Sequence, residues 1–320
     1  MIPDAPISTL RLALRAANVF IIEMLTACRG ERAFTDALIL ATLVQSNGAP
    51  IAGDVALQRR YGAFATPAPE GLRRPISVNA IAVSLGLPFE TVRRRTKQLI
   101  AAGVCEVVSD GIRIPQAQLT SEAHRRALEA VYVLVRSLYQ RLSRAGCIEQ
   151  MGLPARGGPP WTDEAPPLRI VWRLASDYML RMMEHLLPNF DSLSRAFILL
   201  AVVRANTDGM PDALRGADGA EVEAFPADGY RRPARASAVA ALLGLPHETV
   251  RRNIAALVED GHCLRVRDGV IVPATVLARP NVLNAWGSNF RDLSRMFAEL
   301  SETGVLALWD SEPEAGQSAA

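Results

Sequence analysis

Apolar residues at spacings of three and four recur along most of this chain and divide it into two matching series of helices. Residues 7–28 place Leu10, Leu14, Ala17, Ile21 and Leu25 in helical register with apolar neighbours around most of the circumference, which predicts a helix buried on a wide face. A second helix is predicted over 33–46, ended by Asn47-Gly48. Its counterpart is RAFILLAVVRAN at 195–206, ended by Asp208-Gly209. The stretch at about 168–187 matches the first helix in its apolar breadth, and helices at about 119–145 and 281–302 close each series. In those closing helices Leu138 corresponds to Met296 and Leu142 to Leu300.

Within each series the pattern shortens to NAIAVSLGLPFETVRRRTKQLIAAGVCEVVSDGIRIP at 79–115 and SAVAALLGLPHETVRRNIAALVEDGHCLRVRDGVIVP at 237–273. Arg73 and Arg231 open the matched blocks, 158 positions apart, and about half the positions from there to Pro115 are identical in the copy. Each block begins Arg-Arg-Pro, where proline suits the entrance to a short edge strand. Asn79 and Ser237 are the predicted N-caps of a short helix, which Gly86 or Gly244 ends in a Leu-Gly-Leu-Pro turn. Pro88 or Pro246 starts a second helix, where a missing N–H costs nothing. Val92, Thr96, Leu99 and Ile100 face inward on it, matched by Val250, Ile254, Leu257 and Val258. After Gly103 or Gly261 come a strand, an Asp-Gly turn at Asp110-Gly111 or Asp268-Gly269, and a return strand. The predicted fold is mainly α with small β wings, two tandem winged helix-turn-helix units related by internal duplication and flanked by long helices.

Residues 48–72 and 209–230 are rich in Gly, Pro and Ala, differ between the halves, and read as long loops. The proline and glycine of 150–167 read as an interdomain linker, and 310–320 as a disordered tail. The predicted domains are a first repeat over 1–146, a linker over 147–167, a second repeat over 168–309, and the tail. The outer helices carry more apolar surface than one winged unit can cover, so they are expected to pack across the two halves or to mediate self-association.

Composition changes this picture little. A net charge of +2 is too mild to argue for nucleic acid, so charge placement must carry that argument. Cys28, Cys105, Cys147 and Cys263 fit a reducing compartment, with Cys105 and Cys263 as small buried residues where a strand begins. Arg11, Arg15 and Glu23 interrupt the apolar run near the N-terminus, short of the roughly 20 apolar residues a membrane span needs, which places the protein in the cytoplasm. His124, His185, His247 and His262 are scattered over unrelated elements, and neither a phosphate loop nor a nucleophile motif is present. No catalysis, metal or cofactor is expected.

The second helix of each block carries its charge on one face. Glu90, Arg93, Arg94 and Lys97 recur at spacings of three, four and seven, matched by Glu248, Arg251, Arg252 and Ala255. Residues 88–101 carry a formal +3 and residues 246–258 a formal +1, whereas in the wings Arg265 and Arg267 precede the second turn and Glu106 and Val108 precede the first. Unequal half-sites on duplex DNA are the consequence, flanked by Arg73, Arg74, Arg231 and Arg232.

Glu90-Thr91-Val92-Arg93-Arg94 and Glu248-Thr249-Val250-Arg251-Arg252 resemble the Glu-Thr-Val-x-Arg pattern of bacterial winged-helix transcription regulators, the broad group containing the catabolite-activator and GntR-type DNA-binding domains. The resemblance covers about 40 residues in each half. It implies that Glu90, Arg94, Glu248 and Arg252 face base edges and that Thr91 and Thr249 lie near phosphates. The position before the glutamate, often a base-contacting arginine in that group, is Phe89 or His247 here. The expected function is a sequence-specific, double-stranded DNA-binding regulator of transcription, nucleoid-associated, with two recognition helices in one chain acting as a pseudo-dimer. Two further readings fit the same pattern: a winged-helix protein-interaction scaffold and a plasmid-type replication initiator.

Overall fold

The computed structural model describes residues 6–154, 157–210 and 225–312. Among them the chain is mainly helical, with two small antiparallel sheets of two strands each. The first half runs α1 (Ile7–Arg29), α2 (Phe34–Ala52), α3 (Val55–Arg60), α4 (Val78–Leu85), α5 (Phe89–Ala101), β1 (Glu106–Val108), β2 (Gly111–Arg113), α6 (Gln116–Leu119) and α7 (Glu122–Arg144). The second runs α8 (Leu168–Leu186), α9 (Leu193–Asn206), α10 (Ala236–Leu243), α11 (His247–Glu259), β3 (Leu264–Val266), β4 (Gly269–Ile271), α12 (Ala274–Leu277), α13 (Pro280–Glu302) and α14 (Val305–Ser311). From α4 to α7 every element has a counterpart of the same length 158 positions later.

The turn between the short helices forms as its residues dictate. Gly86 and Gly244 take left-handed φ values of 58° and 63°, open to glycine without steric cost. Behind the turn, Val92, Leu99, Val250, Ile254 and Leu257 are buried, each such side chain contributing about 1.5–3 kcal/mol. In each wing the expected edge strand is a single bridge, Ile76 to Ile112 and Ala234 to Val270. A Cβ on Gly111, whose φ is 143°, would come within 2.6 Å of the Ile76 carbonyl oxygen, so only glycine admits that bridge.

The long helices α1, α7, α8 and α13 form a four-helix bundle in which α1 packs on α7, α7 on α8, α8 on α13 and α13 back on α1. The wide apolar face of α1 has a second use, because it also lies along α9, while α8 lies along α2. Each half's first helix therefore packs on the second helix of the other half. Polar contacts fasten the crossing: Asn18 donates to the Leu200 carbonyl at 3.0 Å, Arg204 pairs with Glu23 at 2.8 Å, and Gln45 donates to Asp177 at 2.9 Å. One continuous core runs through both halves.

Several expectations are corrected. The second helix does not stop at Asn47-Gly48 but runs to Ala52, because Asn47 turns its side chain inward and Pro50 falls in the last turn, where its missing N–H removes little. Ser77, not Asn79, caps α4 by accepting from the Ala80 N–H at 3.1 Å, and α10 begins before Ser237, after Arg235. The closing helices lie where expected to within three residues, α7 capped by Ser121 and α13 starting at Pro280, each preceded by a separate one-turn helix, α6 or α12. The loop at 48–72 contains α3, and the segment at 150–167 is packed rather than free: Trp161 is buried, and Arg59 donates to the carbonyls of Pro159 and Thr303, both at 2.7 Å. Asp310, assigned to the tail, accepts a hydrogen bond from Tyr139 at 2.9 Å. The remainder of the tail, and residues 211–224 of the second loop, lie outside the described residues.

Candidate nucleic-acid interface

The outward faces of α5 and α11 carry the same arrangement. Arg93 Nε donates to the Glu90 carboxylate at 2.9 Å, and Arg251 Nε donates to that of Glu248 at 2.8 Å. Both pairs span one helical turn in open solvent, and hydrogen bonding from the arginine holds each carboxyl below its ordinary range. Glu90 and Glu248 are thus clasped by their neighbours, although each exposed carboxylate keeps lone pairs for a further donor.

What remains is sparse. Arg95 leans inward to Asp36 at 3.6 Å, so part of the positive charge counted on α5 is spent on the core side. Among the described residues no carboxylate pairs with Arg94, Lys97 or Arg252, all exposed. The outer face of α5 therefore offers two unpaired cations and that of α11 one. Thr91 and Thr249, half-buried at the first turn, sit beside them.

The flanking arginines divide into two kinds. Arg74 is exposed, and Arg232 is exposed beside Asp208 at 3.3 Å. Arg73 and Arg231, expected on the interface, are buried instead, each 6% exposed. Arg73 donates to the Ile114 carbonyl at 2.6 Å and pairs with Glu70, while Arg231 donates to the Pro226 carbonyl and pairs with Asp228 at 3.2 Å. A guanidinium spent on backbone carbonyls is not available to phosphate. In the wings Arg265 and Arg267 are exposed, whereas the first wing's Arg113 is held by Glu106 at 2.9 Å and Glu70 at 3.1 Å. Exposed cations are thus concentrated on the helix in the first unit and on the wing in the second.

Sequence reasoning missed the residues that hold α2 and α9 to the two small sheets. Asn47, buried in α2, donates to the Arg74 carbonyl at 2.8 Å and accepts from the Ile114 N–H at 2.9 Å. Asn206, at the end of α9, donates to the Arg232 carbonyl at 2.7 Å and accepts from the Val272 N–H at 2.8 Å. Their recurrence as the residue that ends each matched apolar run was the available signal, hidden because asparagine there also reads as a helix terminator.

Burial pushes the Cys105 thiol up to about 11 and the Cys263 thiol to about 12. No metal-holding cluster occurs among the described residues, nor any helix long and apolar enough to cross a membrane. No protein-family model, curated protein or solved structure matches this chain.

Proposed function

We propose that this chain is a sequence-specific double-stranded DNA-binding regulator of transcription, built by internal duplication of a winged helix-turn-helix and acting as a pseudo-dimer. One observation carries the reading: an outward arginine stands unpaired at the same position of α5 and α11, beside the same Glu–Arg clasp and after the same turn. A helix of this size fits the major groove, and an arginine on its outer face can donate two hydrogen bonds to guanine. The modest net charge agrees with a few directed contacts rather than general polyanion binding. A nucleoid-associated, cytoplasmic setting follows from the same reading.

The scaffold reading has one observation in its favour, the exposed apolar side chains Val83, Val107 and Leu264 on the first short helix and the two wings. Selection of random duplex DNA by the purified protein, followed by salt titration of the selected sequence, separates the two. The regulator reading expects a bipartite motif whose binding falls about 5- to 150-fold with Arg94→Ala or Arg252→Ala, the equivalent of about 1–3 kcal/mol per base contact. No enriched motif, or binding unaffected by either substitution, refutes it.

A further inference from the structure

Three buried guanidiniums meet at one void. Arg73 of the first half and Arg169 and Arg173 of α8, each no more than 7% exposed, line a space of about 500 Å³, its mouth included, beside α2. Arg169 donates to the carbonyls of Phe64 at 2.9 Å and Leu119 at 2.7 Å, and Arg173 donates to those of Gln58 at 3.1 Å and Tyr61 at 3.2 Å. Neutral carbonyls bring no counter-charge. Glu70 pairs with Arg73 at 3.5 Å but is itself mostly exposed, and among the described residues no carboxylate pairs with Arg169 or Arg173.

Donors are left over as well. Arg73 Nε, Arg173 Nε and the Trp172 indole N–H are buried without an acceptor, and among the described residues none meets Arg169 Nη1. All four residues line the void. Burial first, then the neighbouring guanidinium, lowers Arg169 to about 10 and Arg173 to about 9, so both remain cations at neutral pH. Unmet buried donors and buried charges without a counter-charge are both costly to a fold. An anion at this place would supply the missing charge and the missing acceptors together.

We propose that this void is the binding site of a small monovalent oxyanion, with formate and nitrate as its simplest representatives, held by Arg169 and the two neighbouring guanidiniums. Planar guanidinium donors match oxygen acceptors of that shape. The walls at Val44, Ile51 and Leu128 are apolar, which disfavours a divalent ion that has more hydration to shed. Asn47, which ties α2 to the first sheet, lines the same void, so an occupant stiffens the contact between α2 of one half and α8 of the other. The site is independent of the DNA-binding reading, and its test involves no DNA.

The test is isothermal titration calorimetry of the full-length protein with sodium formate and with sodium nitrate, at an ionic strength held constant by gluconate, a larger polyhydroxylated carboxylate. A single saturable site is expected for each ion, with the two in competition. Arg169→Gln is expected to weaken both at least about tenfold while the unfolding transition stays cooperative. Ala68→Leu, which narrows the void from its wall and leaves the arginines in place, serves if that variant does not fold, with an expected loss of about the same size. No saturable heat, two ions that do not compete, or an affinity unchanged in the folded variant overturns the proposal.

Discussion

Asn206 accepts the backbone N–H of Val272 at 2.8 Å, and the same amide donates to the carbonyls of Arg232 and Val270, at 2.7 and 3.1 Å. One buried side chain thus ties the end of a helix to both outer lines of the wing, and Asn47 does nearly the same work in the first half. Replacing either by alanine strands backbone groups away from water, each costing about 1–3 kcal/mol. Asn206→Ala is expected to lower unfolding stability by about 2–4 kcal/mol in denaturant melts. A loss under 1 kcal/mol would show that water takes over the amide's partners.

The Glu90–Arg93 and Glu248–Arg251 clasps make opposite demands on affinity and specificity. Glu90→Gln frees Arg93 for phosphate, so on the DNA-binding reading the slope of log affinity against log salt steepens by about 1. Discrimination between selected and scrambled duplexes narrows at the same time. Fluorescence anisotropy at several salt concentrations reads both, and an unchanged slope excludes Arg93 from the interface.

Gly111 admits the bridge to Ile76, and Gly269 admits the bridge to Ala234 through the same close approach. Gly111→Ala has no backbone room for its methyl group and must displace the edge segment. A loss of about 1–3 kcal/mol is expected, with faster amide exchange confined to β1 and β2. Global exchange without local change would point instead to a wing that folds as one unit with the bundle.

His124 lies edge-on to Trp172 at 5.7 Å, and burial first, then the nearby Arg169 charge, depress its pKa to about 4 from an ordinary 6.5. A base depressed in the folded state binds fewer protons there than in the unfolded chain between those two values. Stability therefore falls as pH drops from about 6.5 to 4, by at most about 3 kcal/mol from this group. His124→Gln removes that share. Equal acid sensitivity in wild type and variant between pH 6.5 and 5 would assign the loss to other groups.

The inward positions of α5 and α11 were legible because burial there follows a local apolar period, and the Gly86 and Gly244 turns because glycine has a local conformational reason. Arg73 was not: its burial depends on the carbonyl of Ile114, 41 positions away, which no local pattern announces. Arg95 entered the formal charge of residues 88–101 with its pairing equally hidden, its partner Asp36 lying on another helix. The breadth of apolar surface on α1 showed that it had to be covered. That α9, rather than α2 alone, helps cover it depends on the path of the whole chain.

The crossing of α1 and α8 makes the two halves a matched set of parts rather than two beads on a string. A chain ending at Gly146 would lack α8, which lies along α2, and would carry an α1 without the α9 it rests on. Losing either half would uncover the long helices of the other, and separately made halves are expected to cover those faces only on meeting.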